Sequence, residues 1–342
     1  MKKNKRKKNK FFIYFLLSIA LIFFTAENYL IVCEYPLFSV NNARINQNDR
    51  YMPLLGWTNK PNMKKTADGE EPVPNQENVD SLGRRYIGKD VENPEKRLLF
   101  LGCSYTFGLE ISDEETYICK TSKHFPKWQF DNYASPGYGT HQCRIMLEKL
   151  LTSPNCPKYD YVFYSFIEDH PRRIAYDFAF IPDKNNNNIL VMPYADFAWN
   201  GKIKYQSYNK PFIPGAEILR TSSFINNLYA SRKSASGKKH DKKNALYNAV
   251  LQDMLDLCKK NNIDFSVLIL ENSNYHIDKD LLKSGLNVYD IILPDLENPK
   301  YHVNNNIYNH PNDLANDYWA EKLTAILMEK AKDNNRSSGL TK

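Results

Sequence analysis

Three stretches far apart in the chain carry residue types that, brought together, could perform nucleophilic chemistry on a carbonyl. The first is Leu98–Gly108, LLFLGCSYTFG, in which an apolar run ends at Gly102 and Ser104 falls on the turn before a helix. A serine so placed can expose its hydroxyl at the carboxyl edge of a sheet while nearby backbone N–H groups face an incoming oxygen. The same serine can equally cap the helix, and the residue alone does not separate the two roles. The second stretch, Asp131–Gly139 (DNYASPGYG), is a short strand running into a glycine-rich loop, where backbone can approach a ligand closely. The third, Asn309–Leu323 (NHPNDLANDYWAEKL), places His310 just before an amphipathic helix. Histidine is the usual general base for a serine nucleophile because imidazole titrates near neutrality.

Bringing these residues together requires a scaffold. Arg97–Gly102, Tyr161–Ile167, Asp264–Leu270 and Asn287–Ile292 are short apolar runs that read as buried strands. Between them, Asp113–Phe125, Thr140–Thr152, Ala245–Asn261 and Leu314–Lys332 have helical periodicity. This alternation predicts an α/β fold, three-layer α/β/α with a central, mostly parallel sheet, and places ligands at the carboxyl ends of the strands. Residues 181–244 break the alternation with the asparagine run at 185–188, the aromatic segment YADFAWNGKIKYQSYNK and the loop SRKSASGKKHDKK. They are expected to form an insertion with small β and helical pieces.

The three stretches resemble, in order, the conserved blocks of the SGNH/GDSL hydrolase superfamily. GCSYTFG, with Glu110, Asp113 and Thr116 following, is similar to the GDS-type block after the first strand. NYASPG (132–137) is similar to the second block, and His310-Pro311-Asn312 to the last; NVDSLGRR (78–85) looks like a lead-in seen in some bacterial members. The resemblance spans residues 80–331. It implies an SGNH/flavodoxin-like fold with Ser104 as nucleophile, His310 as general base, and the Ser104 and Gly137 N–H groups as oxyanion donors, with no cofactor or metal.

Two positions depart from that pattern. The superfamily presents an asparagine amide to the oxyanion after the third strand, but YVFYSFI here runs into Glu168-Asp169-His170 and then Pro171-Arg172-Arg173. An ionised carboxylate cannot donate a hydrogen bond, so among the auxiliary candidates Glu168, Asp169 and His170 only the histidine, or a neighbouring arginine, could substitute. The acid expected two or three residues before the histidine is also missing, since Ile307 and Tyr308 stand there. A backbone carbonyl or a distant acid would then have to orient the imidazole. The other histidines show no ligand spacing, and the arginine pair 172–173 reads more as a solvated loop pair than as an anion clamp.

The rest of the sequence bears on location. The first ten residues, MKKNKRKKNK, carry seven Lys/Arg and no acid, leaving 39 basic and 39 acidic residues in the remainder. The net charge of +7 is therefore a tail, which excludes a basic nucleic-acid-binding face. With 23 Tyr and 18 Phe the chain can bury a sizeable core, which excludes wholesale disorder. Phe11–Ala26 is apolar except for Ser18 and Thr25, and the apolar run resumes to Cys33, predicting a signal anchor over 11–33. The positive-inside rule then puts the N-terminus in the cytoplasm and the main domain outside. A cleaved signal peptide competes, although a cut after Ala26 would leave the bulky Phe24 at the −3 position.

The expected organisation is thus a basic tail (1–10), a transmembrane helix (11–33), a membrane-proximal stem (34–96), the hydrolase-like domain (97–335) with its insertion at about 181–244, and a disordered tail (336–342). Six cysteines show no metal-ligand pattern; Cys143 and Cys156 could pair, or the thiols could be free and buried. Compartment and resemblance together imply a membrane-anchored esterase or acyltransferase acting on O-acyl, chiefly O-acetyl, esters of envelope or exported glycans, with a membrane acyltransferase as a possible partner. The competing expectation is a non-catalytic SGNH-like domain that binds a glycan or assists envelope assembly.

Overall fold

The computed structural model describes residues 12–22, 49–63 except 53, 77–174 except 89, 193–206 and 238–339. The chain divides into two compact units. The first comprises residues 1–45, 178–191 and 209–238, and its described part is essentially one helix over residues 12–22. That helix exposes Phe12, Ile13, Phe15 and Leu17, and Ser18 satisfies its hydroxyl on the Tyr14 carbonyl, 2.9 Å away. Among the described residues no helix is long and apolar enough to cross a membrane. Most of the expected span beyond residue 22, with Cys33, lies outside the described residues.

The second unit is built on strands β3 (Lys96–Leu101), β4 (Trp128–Asn132), β5 (Tyr161–Phe166), β8 (Asp264–Ile269) and β9 (Asn287–Asp290). They form one parallel sheet in the order β4-β3-β5-β8-β9. Two antiparallel hairpins, β1 (Asp49–Met52) with β2 (Gly56–Asn59) and β6 (Tyr194–Phe197) with β7 (Ile203–Gln206), lie outside it. Period-two alternation along buried strands gives the sheet two apolar faces. Leu98 and Phe100 of β3, Tyr161 and Phe163 of β5 and Leu268 after Val267 of β8 join a core with Trp319, Leu323 and Leu327. These last three belong to α8 (Asp313–Gly339), which packs on that face beside α3 (Tyr117–Ser122). The opposite face takes α4 (Thr140–Leu151) and α6 (Lys238–Lys260), with Tyr247 against Phe166 at 5.2 Å. The three-layer α/β architecture is therefore as expected, and its five sheet strands are all parallel.

Boundaries differ where side chains override periodicity. The expected helix 113–125 is broken at Thr116, whose extended backbone (φ −67°, ψ 141°) separates a single 3-10 turn from α3. The Thr116 side chain then caps α3 by accepting from Cys119 N–H. The last helix continues to Gly339, into the segment expected to be a disordered tail.

The expected stem is only partly irregular. Residues 49–59 make the first hairpin, and 77–88 are held by an ion-pair network. Arg84 bridges Asp80, Asp90 and Asp131, while the buried Arg85 guanidinium pairs with Asp113 at 3.1 Å and lies over the Phe107 ring. The pairing of Cys143 with Cys156 does not form, because Cys143 faces the core from α4 whereas Cys156 lies on a partly exposed loop. Cys103, Cys119 and Cys258 are likewise free and buried.

Candidate active site

The three sequence stretches converge at the carboxyl ends of β3, β4 and β5. Ser104 is the first residue of α2 (Ser104–Phe107), a single turn following Cys103. At that position its N–H has no intrahelical acceptor, and among the described residues no hydrogen bond takes up its hydroxyl. Two glycines frame the turn for different reasons. A Cβ at Gly102 would stand 2.2 Å from Thr106 Oγ1, so only glycine lets the strand run this close to its own helix. Gly108 ends α2 in the left-handed region (φ 76°), and a Cβ there would strike Thr116. Asn132, the strand-end asparagine of the second block, donates to the Thr106 carbonyl at 2.9 Å and accepts from Ala134 N–H. Its work is to tie the serine's helix to β4.

His310 arrives from the loop before α8. Asn312 accepts from the N–H groups of Leu314 and Ala315, capping that helix, while its own amide donates to the carbonyls of Lys300 and His302. The block His310-Pro311-Asn312 thus ends in a helix cap that holds the histidine two residues ahead of it. The Tyr105 ring meets the imidazole edge-on at 6.3 Å and stacks on Trp319.

The acid missing before His310 comes from the other side of the site. Glu110 Oε2 lies 3.3 Å from His310 Nδ1 and accepts the His310 backbone N–H at 3.1 Å. The ring contact has ion-pair distance but not hydrogen-bond alignment, and Nδ1 is otherwise buried without a partner. That leaves Nε2 for the cavity. Glu110 reaches this place through a left-handed backbone (φ 71°), a conformation that costs a non-glycine residue roughly 1–3 kcal/mol. Its N–H is held by Glu77 Oε1 at 2.7 Å. The residue was visible in the sequence as a neighbour of the first block, but its role was not, because nothing in the spacing shows the chain reversing after Gly108.

Ser104 and His310 line one cavity of about 350 Å³ with Tyr105, Tyr308, Glu168 and Glu271 among its walls. Among the described residues no hydrogen bond joins Ser104 to His310; catalytic contacts of this kind often tighten only once substrate is bound. Gly137 sits on the loop after β4, where a Cβ would come within 3.1 Å of the Trp57 ring, and it is not one of the residues lining the cavity.

The auxiliary candidates separate. Helix α5 (Asp169–Ile174) starts directly after β5, so residues one turn apart share a face. Asp169, Arg172 and Arg173 face the cavity and pair with one another, whereas His170 and Ile174 turn into the core. His170 is fully buried, its Nδ1 is 2.7 Å from Tyr164 Oη, and burial holds its pKa well below that of a free imidazole. His170 does not line the cavity, so it is not placed there as the expected oxyanion donor. Glu168 points its carboxylate at Asn274 N–H, 2.9 Å away.

Glu271 is the wall residue that sequence reasoning missed. It follows the buried run DFSVLIL directly and so lies where ligands bind in such sheets, which was a usable signal. Its Oε1 accepts Glu168 N–H at 2.7 Å. Burial, opposed by that N–H and aided by the charges of Asp169 and Glu168, pushes its carboxyl up to about 7.

No protein-family model matches the chain, and no curated protein matches it. It is similar to several solved structures. One is a lipolytic protein of the G-D-S-L family from Veillonella parvula, at 10% identity over 68% of this chain and 98% of that one, with a TM-score of 0.37. Another is the psychrotrophic esterase EstA from Pseudoalteromonas sp., inhibited by monoethylphosphonate, at 10% identity over 68% and 99%, with a TM-score of 0.39. A GDSL-like lipase from Bacteroides thetaiotaomicron matches at 10% identity over 70% and 93%, with a TM-score of 0.37. At these values the likenesses carry no weight for function, which rests on the site itself.

Proposed function

We propose that this chain is an SGNH/GDSL-like serine esterase or acyltransferase in which Ser104, His310 and Glu110 act as one unit. The observation that carries the reading is the shared cavity, with His310 held against Glu110 through Nδ1 and Ser104 at the start of a helix on the same wall. In the reaction, Ser104 Oγ bonds to an ester carbonyl carbon and its proton passes to His310 Nε2. The oxyanion is received by the Ser104 N–H, and the imidazolium is stabilised by Glu110. His310 then protonates the departing alcohol, and water or a second alcohol resolves the acyl-enzyme. The substrate class we favour is the O-acyl ester of an envelope or exported glycan. A cytoplasmic N-terminus with a membrane anchor over 11–33 would place the domain beside such glycans, and a membrane acyltransferase could supply the acyl donor.

The test is hydrolysis of a chromogenic acetyl ester by the full chain. Turnover should fall by about 10³-fold or more in Ser104→Ala and in His310→Ala; equal activity in wild type and Ser104→Ala ends the serine mechanism. The three carboxyl groups at the β5 and β8 ends favour one second reading, a domain that binds a glycan without turnover. It requires glycan binding that survives Ser104→Ala and no ester hydrolysis by the wild type.

A further inference from the structure

The wall of the cavity formed by the ends of β5 and β8 concentrates three carboxyl groups, Glu168, Asp169 and Glu271, beside the serine. Their partners differ. Asp169 is paired with both Arg172 and Arg173, and Glu168 takes the Asn274 N–H. Glu271 differs from both in its contacts. Its Oε1 accepts the Glu168 N–H, and among the described residues the structure gives Oε2 no hydrogen bond or ion pair. The charged and titratable groups around it are Glu168, Asp169 and Arg173 from the β5 end and α5, Cys103 and Tyr105 from the serine turn, with Arg172 and His310 on the same cavity. Burial first, and the neighbouring carboxylates of Asp169 and Glu168 after it, disfavour charge on Glu271.

We propose that Glu271 is a catalytic hydrogen-bond donor of this site, its neutral carboxyl O–H meeting the acyl oxygen where an asparagine amide would otherwise be needed. The inference rests on the serine mechanism above and identifies the donor that Glu168 cannot supply. A neutral acid can donate from a buried site in the way an amide does, and an acid held un-ionised to stabilise an oxyanion has precedent in enzyme chemistry. No proton is transferred in this step. The Ser104 Oγ–carbon bond forms, the carbonyl π pair moves onto oxygen, the serine proton goes to His310, and the Glu271 O–H bonds to that oxygen while keeping its proton. The group's titration near 7 gives the role a pH signature.

The experiment compares kcat/KM for a chromogenic acetyl ester, and the rate of phosphonylation by a fluorophosphonate, across about pH 5 to 9 in the full-length wild type, Glu271→Gln and Glu271→Ala. In the wild type both rates should rise as the general base deprotonates and fall again as Glu271 ionises. Glu271→Gln, which donates at every pH and keeps an acceptor for the Glu168 N–H, should stay within about threefold of the wild-type maximum and lose the alkaline fall. Glu271→Ala should lose about 10²-fold. An alkaline fall retained in Glu271→Gln, or a glutamine variant as impaired as alanine, overturns the proposal while wild-type activity leaves the serine mechanism standing. Absence of both turnover and labelling in the wild type overturns the mechanism and this inference with it.

Discussion

The two walls of the cavity hold their charged groups in opposite ways. On the α8 side one histidine faces one acid, and Asn312, Tyr105 and Glu77 fix the pair from behind. On the β5 and β8 side, like charges are packed together and partly neutralised by two arginines. The first arrangement favours the charged imidazolium that forms when serine gives up its proton. The second, through burial first and the neighbouring carboxylates after it, disfavours charge on Glu271. In the proposed mechanism complementary pairing makes a base, and burial beside like charges makes a neutral donor; residue type alone would have labelled every one of these carboxyl groups an acceptor.

The contrast can be broken from either side. The largest effect is expected at Glu110. In Glu110→Gln the side chain still reaches the His310 backbone N–H but no longer carries the charge that stabilises an imidazolium, so kcat should fall by about 10²-fold or more with little change in KM. An unchanged kcat would assign the acid's role elsewhere. A smaller effect, on stability and not on chemistry, is expected behind the opposite wall. Tyr164 Oη joins Thr140 Oγ1 at 2.8 Å and His170 Nδ1 at 2.7 Å inside the core. Tyr164→Phe leaves both without that partner and should cost about 1–3 kcal/mol, read as a lower thermal midpoint with kcat preserved. Loss of kcat in that variant would return His170 to the active site.

The two walls also differ in how far the sequence foretold them. The sheet, its parallel order and the positions of Ser104 and His310 follow from local signals: apolar runs of strand length, a glycine at a strand end, and a polar break before an amphipathic helix. Glu110 and Glu271 belong to the tertiary fold. Glu110 serves His310 only because Gly108 and its own left-handed backbone turn the chain back, and 200 residues of sequence separate the two. His170 was misplaced for a similar reason, since α5, a helix the strand-and-helix pattern did not show, turns it into the core. The lead-in arginines Arg84 and Arg85 looked like part of an irregular stem, yet they are buried counter-ions of Asp131 and Asp113. Charge pairs across sequence distance leave no periodicity to read.

The central claim is that Ser104, activated by His310, is a nucleophile. Incubating the full chain with a fluorophosphonate and locating the adduct by peptide mass tests it most directly. A single adduct on Ser104 is expected, formed at least about 10²-fold more slowly in His310→Ala; an unlabelled Ser104, or labelling that proceeds equally fast without His310, would rule that role out.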